Sequence, residues 1–177
     1  MITTNVHRIF FALWPDDEVR RQTVHNLKKS PHYKINGYNL PPSNLHITLH
    51  FIGNISSEKL HCLHQQAEKV SSKKFAMEFN HFGYFPKPKI IWMGLTDIPD
   101  ALTTLHHNLA NNLQSCGYNA EQREFIPHMS LIRKAEQPDK LIDFDPICWQ
   151  ANDFVLVESL PVNEGVKYKV LQRYPLI

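Results

Sequence analysis

One strand–helix–strand unit occurs twice in this chain with the same spacing. Ile9, in a predicted strand, precedes His46 by 37 residues, and Ile91 precedes His128 by the same 37. Two such units must each bury one apolar sheet face, and the intervening helix is the nearest cover. His7–Leu13 reads as the first strand, and Pro15-Asp16-Asp17 opens a helix to about Ser30, with proline and acids where a helix N-terminus favours them. Leu45–Ile52 is a strand whose end is marked by Gly53-Asn54, and Ser56-Ser57-Glu58 caps a second helix to about Val70. Phe75–Phe82 alternates apolar and polar residues as a half-buried strand does. Ile90–Leu95 is a short apolar strand, Pro99 precedes a helix to about Ser115, and Gly117 sits where a glycine cap belongs. Phe125–Arg133 is another strand. Phe154–Ser159 and Tyr168–Arg173 form an antiparallel pair around Gly165.

Each unit ends in one tetrad of the form His–apolar–hydroxyl–apolar: His46-Ile47-Thr48-Leu49 and His128-Met129-Ser130-Leu131. Side chains at i and i+2 of a strand share a face. His46 therefore shares one with Thr48 and His128 with Ser130, while Ile47, Leu49, Met129 and Leu131 point into the core. Chance supplies one such tetrad often; two on matched strands are a specific signal. Side by side, the strands offer two imidazoles and two hydroxyls on one surface.

That set suits phosphoryl chemistry. Opening a cyclic phosphodiester requires one group to take a proton from the attacking water. A second must give a proton to the departing sugar oxygen. Two imidazoles flanking one phosphorus can do both, each contributing about 10²–10⁴-fold. The Thr48 and Ser130 hydroxyls can donate to the non-bridging oxygens, where negative charge is held. No metal or cofactor is needed in this scheme. The residues give the pair and leave open which imidazole is acid and which is base.

Composition sets the outer bounds. At 177 residues with 42% apolar positions, residues 1–177 are expected to form a single domain with a real core. No run approaches the roughly 18 apolar residues of a membrane span, and Met1–Arg8 lacks a signal-peptide pattern. Cys62, Cys116 and Cys148 are an odd number with no close pair, so buried free thiols in a reducing compartment, the cytoplasm, are expected. A net charge of +2 does not fit bulk wrapping of nucleic acid, yet allows a few phosphates to be held locally. Only 6 glycines and no Gly-rich loop argue against a nucleotide triphosphatase.

The two H-x-[S/T]-x tetrads resemble those of the two-histidine (2H) phosphoesterase superfamily, and most closely its bacterial and archaeal RNA 2′,3′-cyclic phosphodiesterases, also called LigT-like 2′-5′ RNA ligases. The similarity runs through Arg8-Ile9-Phe10-Phe11-Ala12-Leu13, Asn44–Gly53, Phe85-Pro86 with Ile90-Ile91-Trp92, Pro127–Arg133 and Tyr168-Lys169-Val170-Leu171. It implies an α+β bilobal fold, with two interleaved, pseudo-symmetric lobes of antiparallel sheet and flanking helices around a central cleft. It also implies metal-independent hydrolysis of RNA 2′,3′-cyclic phosphate ends, or of cyclic nucleotides, to 2′-phosphates, with His46 as proton donor and His128 as proton acceptor; a monomer is expected. Ser130 stands where threonine is commoner in the family, and His50 where the family often has another residue.

Other positions follow from these. Arg133 lies five residues after His128, pointing away in an unbent strand; the family places an arginine beside the phosphate, so a bulge or a strand-end twist is expected to re-aim it. His50, at i+4, is expected to face the same way as His46. Phe125 is a candidate stacking wall, and Tyr84, Phe85, Lys87 and Lys89 form a basic-aromatic loop able to contact RNA. His61, His64, His106 and His107 match no metal-ligand spacing and are expected on solvated helix faces. Two rival functions remain: 2′-5′ joining of RNA ends, such as tRNA-half-like fragments, as the physiological direction, and a non-catalytic module that only binds RNA or nucleotide phosphate.

Overall fold

The computed structural model describes residues 6–163 and 165–177. Met1–Asn5, which carry most of the segment read for a signal peptide, lie outside the described residues. The elements are β1 (His7–Leu13), α1 (Asp17–Lys29), β2 (Tyr38–Asn39), β3 (Ile47–Ile55), α2 (Ser57–Ala67), β4 (Phe75–Phe79), β5 (His81–Phe85), β6 (Ile90–Gly94), α3 (Asp100–Leu113), β7 (His128–Arg133), β8 (Ile147–Ala151), β9 (Asp153–Val162) and β10 (Gly165–Pro175).

Among the described residues, eight strands make one antiparallel sheet in the order β10-β9-β1-β3-β7-β6-β5, with β2 pairing to β7; β4 and β8 form a separate two-stranded ladder. The sheet consists of two halves. One is built from β10, β9, β1 and β3, the other from β7, β6 and β5, and they meet at the pair Ile47–Met129 between β3 and β7. The duplicated unit is visible in this arrangement: β1 pairs with β3 across α1, as β6 pairs with β7 across α3. This is the bilobal α+β architecture expected from the sequence.

The sheet's two faces have different company. Ile9, Phe11, Leu13, Ile47, Ile91, Met93 and Met129 face the helices and share one core with Val19 and Leu27 of α1, Leu63 of α2, and Leu102, Leu105, Leu109 and Leu113 of α3. Burying each such leucine contributes about 1.5–3 kcal/mol. Phe10, Ala12, Val155 and Val157 face the other way and pack with Trp14, Tyr168 and Val170 in a smaller cluster beside the cleft. Helix starts follow the sequence cues, with Asp16 accepting from the Val19 amide at 2.9 Å and Ser56 from that of Lys59 at 3.3 Å.

Three expectations are corrected. β3 runs through Gly53-Asn54 to Ile55, because Gly53, at φ 85°, lies at a strand irregularity and not at a strand end. The segment read as one strand over Phe75–Phe82 is divided between β4 and β5, which belong to different sheets. Cys62 and Cys116 form a disulfide, with Cα atoms 5.9 Å apart, and Cys148 is free and exposed, so the expectation of three buried free thiols fails. Proximity in space decides this: α2 packs beside α3 and the turn that follows it, bringing together residues 54 apart in sequence. No helix among the described residues is long and apolar enough to cross a membrane.

Thiol titration of the oxidised, denatured protein should therefore find one free thiol, not three. Reduction, or Cys116→Ser, should lower unfolding stability in urea by up to about 4 kcal/mol, the chain-entropy value for a loop of this size. An unchanged urea midpoint would show that the cross-link contributes nothing.

Candidate active site

The Ile47–Met129 pair brings the two tetrads together. In an antiparallel ladder, the residue before one member of a pair lies beside the residue after the other. His46 is thus set beside Ser130, and Thr48 beside His128, all on the face opposite the core. Each imidazole is oriented in the same way. His46 Nδ1 donates to the Asn44 carbonyl at 2.6 Å, and His128 Nδ1 donates to the Ile126 carbonyl at 2.7 Å, in both cases two residues upstream. A carbonyl oxygen only accepts, so Nδ1 carries the hydrogen on each ring and Nε2 is the titrating nitrogen. His46 Nε2 accepts from the Thr48 hydroxyl at 3.0 Å.

Aromatic rings enclose both imidazoles. Around His46 lie Phe10 at 4.9 Å, Tyr168 edge-on at 5.2 Å and Trp14 stacked at 5.7 Å between centroids. The Arg20 guanidinium covers Trp14 at 5.1 Å. Around His128, Phe85 stands edge-on at 4.9 Å and Trp92 at 5.9 Å. Burial disfavours the imidazolium and pushes His46 down to about 4; the bond to the Asn44 carbonyl opposes this, while the charges of Arg133, Arg20 and His128 add to it. His128 is lowered chiefly by burial, against the Ile126 carbonyl bond and with a contribution from Arg123.

Two bulges decide what else reaches this face. Ile91 pairs with Ile132 and Trp92 with Ser130, so Leu131 is an extra residue in β7. Leu131 and Ile132 are both buried, and the exposed Arg133 returns to the face of His128 and Ser130. This is the re-aiming expected for Arg133. β3 repeats the device: Phe11 pairs with His50 and Ala12 with Thr48, leaving Leu49 as the extra residue. The expectation that His50 shares the face of His46 is therefore corrected. The bulge turns His50 into the core at 4% exposure, where its Nε2 donates to the His106 carbonyl at 2.8 Å and its Nδ1 accepts from the Tyr118 hydroxyl at 3.0 Å. Phe51 takes the cleft side instead and is 46% exposed.

A cavity of about 490 Å³ adjoins His128 and Thr48, with Phe51, Phe85, Phe125, Lys87 and Arg123 among its walls. Phe125 and Lys87, both candidates for contacting substrate, thus line this cavity. Tyr84 stands outside that lining and uses its hydroxyl on the Ala135 carbonyl at 3.2 Å. A second cavity, of about 640 Å³, has walls from Trp14, Arg20, Arg21 and Tyr168, on the His46 side. The roles of Phe51, Trp14 and Arg123 were not read from the sequence. Only Phe51 left a signal there: it occupies the position after the first tetrad that Arg133 occupies after the second. His106, read as solvated, is half-buried in the wall of the first cavity. Among the described residues no group of three or more His, Cys, Asp or Glu side chains is placed to hold a metal ion.

Comparisons with known proteins show what the whole chain is similar to. The RNA 2′,3′-cyclic phosphodiesterase of Escherichia coli strain K12 is 29% identical over 174 residues, covering 96% of both chains. That of Archaeoglobus fulgidus is 27% identical over 178 residues, covering 93% of this chain and 98% of the relative. The crystal structure of E. coli LigT in apo form superposes with a TM-score of 0.87 at 27% identity, covering 98% of this chain and 99% of that one. Its complex with 3′-AMP gives the same TM-score at 26% identity, covering 97% of this chain and 99% of that one. The family model of the 2′-5′ RNA ligase superfamily matches residues 15–164, and the chain belongs to that superfamily.

Proposed function

We propose that this protein hydrolyses RNA 2′,3′-cyclic phosphate ends to 2′-phosphomonoesters, with no metal in the chemical step. The observation that carries this reading is the matched pair of Nδ1–H bonds to backbone carbonyls, which leaves Nε2 of both imidazoles for proton transfer on one sheet face. Water attacks phosphorus as His128 Nε2 takes its proton. The bond to the ribose 3′ oxygen breaks, and His46 Nε2–H protonates that oxygen, leaving phosphate on the 2′ oxygen. The Thr48 and Ser130 hydroxyls donate to the non-bridging oxygens, and Arg133 supplies positive charge on the same face. The terminal nucleoside occupies the cavity beside His128, between aromatic walls that include Phe51 and Phe125, with Lys87 at its rim.

Acid–base chemistry on one phosphorus runs in both directions, so the same site can join a 5′-hydroxyl strand to a cyclic end. The cavity on the His46 side, with Trp14, Tyr168, Arg20 and Arg21, has the aromatic and basic character a second strand requires. It supports 2′-5′ joining as the second reading.

An oligonucleotide ending in a 2′,3′-cyclic phosphate should be converted to a 2′-phosphate in excess EDTA. His46→Ala and His128→Ala should each lower kcat by about 10²–10⁴-fold with the fold intact. Binding without turnover in the wild type would instead identify a phosphate-binding module, and loss of turnover on chelation would refute the metal-free scheme.

The pH profile carries a further expectation. One imidazole must be charged and the other neutral, and burial lowers both. The bell for kcat/KM, which reports the free enzyme, should therefore have both limbs below the ordinary imidazole value of about 6.5. The anionic phosphate favours imidazolium, so the bell for kcat should lie at higher pH than that for kcat/KM. A kcat/KM optimum above pH 7 contradicts the buried-pair assignment.

A further inference from the structure

Phe125 stands in the cavity wall three residues before His128, in a segment that is not part of a strand. A lone ring on such a segment would make a poor stacking surface, but this one is backed. His106, from α3, lies parallel to it at 3.9 Å between centroids and 13° between planes. Behind His106 comes His50, at 4.1 Å and 26°. His50 is itself clamped by the His106 carbonyl and the Tyr118 hydroxyl. The result is a column of three rings leading from the core to the cavity, each taken from a different part of the chain.

His106 is the middle ring, and a bond to the Leu49 backbone is the one polar contact acting on it among the described residues. Its Nδ1 is buried with no hydrogen-bond partner among the described residues. Pairing at that nitrogen does not explain an imidazole at this site; its two occupied faces do. Burial, together with the neighbouring His50 and His107, pushes its pKa down to about 4 against the opposing bond to the Leu49 backbone, so the ring is neutral at ordinary pH. An uncharged ring can stack on both sides without the solvation demand of an imidazolium.

We infer that His106 is a positioning residue that holds the Phe125 ring flat against the cavity, so that Phe125 forms a stacking platform for the nucleobase next to the reacting phosphate. This rests on the proposed hydrolysis of cyclic phosphate ends and adds a base-recognising element to it. A nucleobase offers a flat π-face whatever its identity, so the platform favours any base over none and discriminates weakly among bases.

The test compares adenosine 2′,3′-cyclic phosphate with the base-lacking methyl ribofuranoside 2′,3′-cyclic phosphate. His106→Ala and His106→Gln should each lower the preference for the nucleoside substrate, as the ratio of kcat/KM values, by about tenfold, mainly through KM. His106→Phe, which keeps a stackable ring and no polar nitrogen, should restore it. An unchanged ratio in the alanine and glutamine variants overturns the inference, and so does failure of the phenylalanine variant to restore it. If the wild type hydrolyses neither substrate, the hydrolytic reading fails, and calorimetric binding of adenosine 2′-phosphate against inorganic phosphate makes the same comparison. The wild type should then prefer the nucleotide and His106→Ala should lose that preference by about tenfold; equal losses for both ligands overturn the platform.

Discussion

The two halves of the main sheet touch at one backbone pair, Ile47 with Met129, and the site depends on that junction. A longer ladder would close the space between β3 and β7. Without a ladder, the strands would have no fixed register. A single antiparallel pair gives register and an opening at once, and register alone sets each histidine beside the hydroxyl of the other tetrad. Ile47 and Met129 are both fully buried. The apolar residues inside the tetrads thus anchor the junction to the core on one side while the polar ones face the cleft on the other.

Orientation of the rings is a separate problem, and the backbone solves it. Each histidine begins or immediately precedes its strand, where the carbonyl two residues upstream is not engaged in the ladder and can accept from Nδ1. This fixes the tautomer without a carboxylate. A carboxylate partner would favour the imidazolium and pull the pKa up. A carbonyl within an aromatic enclosure leaves burial dominant, and burial lowers the pKa of both rings. In the proposed reaction the substrate's own charge thus becomes part of the acid–base machinery.

What the sequence revealed and what it concealed divide along physical lines. The tetrads, the duplicated unit and the lobed fold were legible because they rest on local periodicity and on a family resemblance spread along the chain. Periodicity fails where a strand gains a residue. The place of Arg133 calls for a bulge or a strand-end twist after the second tetrad; nothing calls for the equivalent bulge at Leu49, so simple alternation puts His50 on the wrong face and hides Phe51. Nothing in the local pattern of Ile47–Ile55 marks that bulge, since Leu49-His50 could equally continue the alternation. The aromatic enclosure of His46 comes from Phe10, Trp14 and Tyr168, and the disulfide joins residues 54 apart. Such contacts exist only once the chain is folded, so no window of sequence contains them.

The matched bulges also show how a duplicated scaffold can serve an unsymmetrical reaction. Each turns the fifth residue after its histidine onto the cleft face: Phe51 in β3 and Arg133 in β7. Backbone symmetry is kept there while side-chain symmetry is abandoned. A terminal nucleotide makes two different demands, positive charge for its phosphate and a flat apolar surface for its base. In the proposed mode of binding, Arg133 would answer the first and Phe51 the second, from structurally equivalent positions. Exchanging them would put an aromatic ring against the anion and a cation against the base. In the proposed reaction the polarity of the site, which end of the substrate lies where, is therefore written at these two positions as much as at the histidines themselves.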